Sequence, residues 1–125
     1  MSHLKVIVIL ENDILKAICA FQNLYEKESE KYSFLSIIKT FIQFSLKKKE
    51  SISNITFTFY ELWEFFKINN KSKEKIKIDH RRYYKPFNNS FNKLIEKKIF
   101  VFAGKRGKKD LYKINPEHVF WKCLL

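Results

Sequence analysis

The stretch from position 81 to position 93 is rich in arginine, lysine and asparagine. It contains Arg81, Arg82, Lys85, Asn88, Asn89, Asn92 and Lys93. On a helix with about 100° between successive residues, these side chains lie away from the apolar side formed by Phe87, Phe91 and Leu94. Arginine can form two hydrogen bonds with guanine and asparagine two with adenine, while lysine neutralises phosphate. The pattern predicts a helix face that enters the major groove of a nucleic-acid duplex; the alternative is a charged face that meets only solvent.

A second group of cations follows between two apolar segments. It consists of Lys105, Arg106, Lys108 and Lys109, interspersed with Gly104 and Gly107. Glycine lets the backbone approach a surface closely, and four neighbouring cations repel one another unless an anion lies beside them. We therefore expect phosphate contacts here, next to the groove. The alternative is a solvated hairpin whose charges block pairing with another sheet edge.

The net positive charge of the chain comes entirely from its second half. Residues 1–66 contain eight lysines and eight acidic residues, whereas residues 67–125 contain seventeen basic and five acidic residues, which accounts for the net charge of +12. A codon bias toward lysine would raise the lysine content everywhere and does not explain this asymmetry. A basic half beside a neutral half predicts a surface for a polyanion on a separately packed scaffold.

The sequence offers little for catalysis. His3, His80 and His118 are far apart, and neither Cys19 nor Cys123 belongs to a pair with zinc spacing. No glycine loop for phosphate, nucleophile motif or pair of carboxylates stands out. His80 lies in a basic segment, where it could support phosphate binding. We expect no enzymatic activity, no cofactor, no metal and no small-molecule substrate.

The chain is expected to work inside a cell, in the cytoplasm or nucleus, or in the host cell if it is viral. Its longest apolar run, residues 6–10, is much shorter than the roughly 20 residues of a membrane span, and the start lacks a cleavage site of the signal-peptide type. Two cysteines make no disulfide framework, which fits a reducing compartment. Cys19 lies in an apolar helical pattern and is predicted to be a core residue.

The chain is poor in residues that interrupt helices. Its two glycines and two prolines all follow residue 85, so the earlier part is predicted to be rich in helix. Helices are expected over about 13–28, 33–47 and 59–67. The helix over 33–47 is apolar on most faces, which indicates either a central buried helix or one with an oligomer contact. Its aromatic residues, like those of the other helices, are assigned to the core.

Short strands are predicted at 54–58, 99–103 and 110–114, the last two forming a β-hairpin around the glycine-containing loop. Between the first strand and the helix after it, Thr58 and Glu61 have the spacing of a capping box, in which each side chain bonds the backbone amide of the other. The polar stretch 69–77 is interpreted as a solvated connection. After the hairpin, the apolar tail is expected to dock back on the core.

Pro86 leaves the start of the basic helix open. Proline lacks an amide hydrogen and disfavours the helical conformation of the residue before it. The helix over about 80–98 either begins after a cap at Asp79 and kinks at Pro86, or begins at Pro86 itself, a favoured first position. Tyr83 and Tyr84 flank this point, where one of them would contact phosphate or sugar, or pack against the proline.

The order of elements resembles the winged-helix family, a helix-turn-helix followed by a β-hairpin wing. The resemblance covers about residues 33–115 and rests on ITFTFYELWEFF, KPFNNSFNKLIEKKIFVF and KRGKKDLYKI. The chain departs from the family at 68–78, where the connection is longer than usual, and at Pro86. The resemblance implies a mainly α fold with a small antiparallel β-hairpin (α+β), a recognition helix and a wing. We expect one domain over 1–125, with an N-terminal extension at 1–31, a winged-helix core at 32–115 and a docking tail at 116–125.

Two functions are consistent with this pattern. The first is double-stranded DNA binding by a small transcription or replication regulator. The second is a winged helix that acts as a protein-interaction scaffold in a larger complex, because a fold does not determine a function. The concentration of charge on the basic helix and the wing favours the first. The N-terminal helix and the apolar tail would either form a homodimer contact or complete the core of a monomer.

Overall fold

The computed structural model describes residues 11–20, 28–74 and 80–125, without the side chains of 28–29, 69–74 and 80–82. The described residues form an α+β fold that is mainly helical and includes a small three-stranded antiparallel sheet. In chain order the elements are α1 (Glu11–Ala20), α2 (Glu28–Lys48), β1 (Phe57–Thr58), α3 (Phe59–Glu74), α4 (His80–Glu96), β2 (Phe100–Arg106), β3 (Lys109–Ile114) and α5 (Val119–Leu124). Residues 1–10, including the predicted apolar run, and 21–27 lie outside the described residues.

Helix α2 is the centre of the core and packs against α1, α3 and α4. Its apolar side chains from Phe34 to Phe44 are buried, as the apolar pattern on most faces predicted. The Phe41 ring lies 5.2 Å from the rings of Phe57 and Phe100 and 5.8 Å from that of Trp121, measured between centroids. Because these partners come from β1, β2 and α5, one side chain joins distant parts of the sequence around α2.

The segment before α3 contains less strand than the sequence predicts. A turn occupies the first part, where the amides of Asn54 and Ile55 both donate to the carbonyl of Ser51, and only Phe57–Thr58 pair with β3. The predicted capping box is present: Glu61 Oε1 accepts from the Thr58 amide at 2.9 Å, and Thr58 Oγ1 accepts from the Glu61 amide at 3.1 Å.

Helix α3 is longer than predicted, because it continues through the first part of the stretch interpreted as a connection. No glycine or proline occurs between residues 68 and 74 to end it. Helix α4 begins at His80 and passes through Pro86, so a start at the proline was wrong. Helix α4 ends at Glu96. Beyond it, Lys98 adopts the left-handed region at φ 63°, and the Ile99 amide donates to the Leu94 carbonyl at 2.9 Å.

The sheet has the strand order β1-β3-β2. The hairpin is tighter than predicted: Arg106 pairs with Lys109, so only Gly107 and Lys108 form the turn. Gly107 has φ 64°, and glycine at the first turn position suits the type II′ turns that join antiparallel strands. A β-bulge interrupts the register between Phe102 and Gly104. Lys105, Arg106 and Lys109 therefore lie on strands, not in a loop.

The C-terminal segment docks on the core, as predicted. Helix α5 packs against α1, and its Phe120 and Trp121 are buried. The Trp121 indole Nε1–H donates to the Ile99 carbonyl oxygen at 2.8 Å, which joins the tail to the start of β2. In α1, by contrast, Cys19 is exposed and the prediction of a core cysteine was wrong. The buried side of α1 is formed by Ile14, Ala17 and Ile18.

Candidate nucleic-acid interface

The exposed side of α4 carries Lys85, Asn89 and Asn92, which we call the α4 stripe. These side chains lie within about 60° of one another around the helix axis, and the opposite side of the helix is buried in the core. Their predicted exposure is confirmed. No hydrogen bond or ion pair of the described residues engages any of the three. The stripe thus presents one cation and two amides to solvent.

The two edges of α4 differ from the stripe. Asn88 is half-buried on the edge next to the sheet. On the other edge, Lys93 Nζ donates to Glu30 Oε2 at 2.7 Å, and the two side chains are 22 % and 21 % exposed. This ion pair joins α4 to the start of α2 and occupies the Lys93 ammonium. Arg81 and Arg82 lie in the first turn of α4, but their side chains are outside the described residues.

The strand cations of the hairpin lie on both sides of the sheet, and the β-bulge determines which side each one takes. Side chains of cross-strand partners share a side, and sides alternate along a strand. Phe102 pairs with Tyr112, on the side that meets α4 through Phe91; we call it the helix-facing side. After the bulge, Lys105 pairs with Asp110 on the helix-facing side. Arg106 and Lys109 lie on the reverse side, with their backbones paired.

Acidic and aromatic groups accompany three of the four hairpin cations. Lys105 Nζ lies 3.5 Å from Asp110 Oδ1, and Arg106 Nη1 donates to Glu61 Oε1 at 3.3 Å. The Lys109 ammonium lies over the Tyr60 ring, 4.8 Å from its centroid. Lys108, at the turn, makes no ion pair or ring contact among the described residues. Because exposed ion pairs contribute at most about 1 kcal/mol, these cations remain free to change partners.

The structure adds residues that the sequence analysis did not assign to the interface. Tyr60 and Glu61, in the first turn of α3, hold the reverse side of the hairpin. Phe102 is 57 % exposed on β2. The capping-box spacing indicated Glu61 as a helix residue, but its ion pair with Arg106 spans 45 positions and has no local signal. No hydrogen bond or ion pair between described side chains joins the α4 stripe to the hairpin.

The tyrosines at the start of α4 are partly exposed, and Tyr84 packs against α3 instead of Pro86. Its ring centroid lies 6.0 Å from that of Phe59 and 5.2 Å from that of Trp63, both edge-on. This contact braces the first half of α4 on α3. It leaves the outer part of the Tyr84 ring open to solvent beside Lys85.

Among the described residues, two titratable groups have a shifted pKa, and neither belongs to a metal-type cluster. No group of three or more His, Cys, Asp or Glu residues there could hold a metal. His118 caps α5, since its Nδ1 accepts from the Phe120 amide at 3.0 Å. Burial lowers the pKa of His118 below its usual value, against the opposing effect of a bond to the Lys97 backbone. Burial, followed by the charge of Asp110, raises the pKa of Tyr112.

No protein-family model, curated protein or solved structure matches this chain. None of the described helices is long and apolar enough to cross a membrane.

Proposed function

We propose that this protein binds double-stranded DNA on a winged-helix fold. In this proposal α4 lies in the major groove, and the β2–β3 hairpin contacts phosphates beside it. A small transcription or replication regulator is the role that suits such binding. The proposal draws on the element order α2-β1-α3-α4-β2-β3 and on the strand order β1-β3-β2, which resemble a helix-turn-helix with a wing.

The observation that carries the proposal is the exposed α4 stripe on a fold that also presents a basic hairpin. Asn89 and Asn92 offer paired donors and acceptors suited to base edges, and Lys85 suits phosphate. Packing does not require these residues, because the stripe is exposed and the other side of α4 meets the core. Residues 83–125 contain ten basic and three acidic residues, and this excess of positive charge favours a polyanion as the partner.

The salt dependence of duplex binding tests the proposal. Each phosphate neutralised contributes about −0.9 to the slope of log K against log salt concentration. With about six phosphate contacts, binding should weaken by roughly three orders of magnitude between 50 and 200 mM salt. Fluorescence anisotropy with a labelled random duplex measures this. A flat salt response, or no binding at low salt, would contradict the proposal.

The ion pairs within the chain favour a second candidate, a protein-interaction winged helix. Lys93, Lys105 and Arg106 each have a carboxylate partner in their own chain, so part of the basic surface is already neutralised. A scaffold of this kind would show weak duplex binding with a shallow salt slope. The same titration therefore distinguishes the two candidates.

A further inference from the structure

Phe102 is an exposed aromatic ring on the helix-facing side of the sheet, the side on which Phe57 and Phe100 are buried in the core. Phe100, two residues earlier on the same side, is buried and stacks on Phe91 of α4, with ring centroids 6.0 Å apart. Phe102 is 57 % exposed. Helix α4 thus covers the first part of β2 and leaves the next ring on the same side open. The open ring lies between α4 and the end of the hairpin.

The position of Phe102 relative to the α4 stripe follows from helix geometry. Phe91 marks the side of α4 that meets the sheet. Around the helix, Asn88 lies about 60° and Asn92 about 100° from Phe91, whereas Lys93 lies about 160° away. The edge of α4 that bears Asn88 and Asn92 is therefore the edge beside the sheet. A ligand lying along that edge and reaching the hairpin would cross the side that bears Phe102.

A duplex supplies such a ligand. If α4 occupies the major groove and the hairpin lies beside that groove, one sugar-phosphate strand must pass between them. We propose that Phe102 contacts the deoxyribose rings of this strand, a contact that rests on the duplex binding proposed above. The sugar offers carbon–hydrogen surface to the ring, and its phosphates meet Lys105, which follows Phe102 on the helix-facing side after the bulge.

Charge favours DNA over a second copy of the chain as the occupant. Lys105 follows Phe102 on the helix-facing side after the bulge and pairs with Asp110 across the strands, and Lys108 lies in the turn beyond it. Two copies meeting there would bring these cations together. A polyanion would instead cover the ring and neutralise the cations in one contact.

Phe102→Thr tests the contact, because it removes the ring and keeps a β-branched residue that suits a strand. Burying the exposed part of a phenylalanine, about half of the side chain, corresponds to roughly a tenfold gain in affinity. We expect Phe102→Thr to lose about tenfold in duplex affinity with an unchanged salt slope. Phe102→Leu should lie between Phe102→Thr and wild type. Leu46→Ala removes a side chain of 56 % exposure on α2 and should bind like wild type.

Five outcomes would overturn the inference. Wild-type affinity in Phe102→Thr, with duplex binding otherwise intact, would remove the contact and leave the proposed function standing. A salt slope that changes by about one unit would assign the effect to a displaced cation. An equal loss of duplex affinity in Leu46→Ala would show that the effect of Phe102→Thr is not specific to the ring. Sedimentation showing that Phe102→Thr dissociates an oligomer would assign the ring to a second copy, and absence of wild-type binding would refute the proposed function itself.

Discussion

If the protein binds duplex DNA as proposed, Glu61 controls how much of the hairpin charge is available to it. Its carboxylate accepts from the Thr58 amide in the capping box and also from Arg106 at 3.3 Å. Glutamine keeps the first interaction, since it serves equally in a capping box, and removes the charge of the second. Glu61→Gln therefore frees Arg106 without uncapping α3, and we expect it to tighten duplex binding.

The size of the effect follows from the exposure of the ion pair. The Arg106 and Glu61 side chains are 59 % and 28 % exposed, and such pairs contribute up to about 1 kcal/mol. In Glu61→Gln, Arg106 no longer has to give up this ion pair to contact a phosphate, so the duplex affinity should rise by up to about fivefold. One additional neutralised phosphate should also steepen the salt slope by up to about 0.9.

Anisotropy titrations at several salt concentrations measure both quantities. Glu64→Gln is the matched control, because Glu64 lies three positions after Glu61 on α3 and pairs with Lys67 at 2.7 Å. It makes the same change of charge and should alter affinity less than Glu61→Gln. Thermal melting verifies that α3 keeps its cap. If a stably folded Glu61→Gln binds duplex like wild type, Arg106 does not contact phosphate and the reasoning fails.

Two further predictions concern the bases and the tail. Asn89→Ala and Asn92→Ala should each lose roughly 1–3 kcal/mol of binding to a selected site, with the larger loss at Asn89. Their binding to random duplex and their salt slope should stay unchanged. Replacing the four hairpin cations, Lys105, Arg106, Lys108 and Lys109, with alanine should weaken binding to both duplexes equally. Paired titrations decide this, and unchanged binding of both asparagine variants to both duplexes would exclude α4 as the reader. Burial lowers the pKa of His118 in the folded chain, so the unfolded chain binds the imidazole proton more tightly. The contribution of neutral His118 to the stability of the fold is therefore full above about pH 6.5 and is lost as the pH falls below that value. His118→Asn keeps an N-cap and should lose less stability than wild type between pH 7.5 and 5.5 in urea unfolding; equal losses would contradict this.

The features that the sequence predicted are those with local causes. The capping box needs residues three positions apart, and the hairpin needs a glycine turn between two apolar segments. The buried side of α4 follows from apolar residues at helical spacing. Each of these signals lies within a few residues of the structure it specifies.

The features that were missed depend on residues far apart in the chain. Lys93 was assigned to an open face, yet its partner Glu30 lies 63 positions earlier. The bulge near Gly104 depends on the register with β3, and it determines which cations share a side with Phe102. Single-sequence periodicity carries no information on such pairings. The extension of α3 was missed for another reason, since polar residues without a breaker fit a helix and a connection equally well.

Trp121, whose indole is hydrogen-bonded to the Ile99 carbonyl, is a built-in fluorescent probe of the C-terminal tail. The sequence contains two tryptophans: Trp121 is buried beside Phe100 and Phe120, and Trp63 packs between α3 and α4 against Tyr84 and Phe87. Replacing either one leaves a single emitter in a known part of the core. Its fluorescence would then report separately on detachment of the tail and on loosening beneath α4, so the order in which the two regions unfold can be followed without any added label.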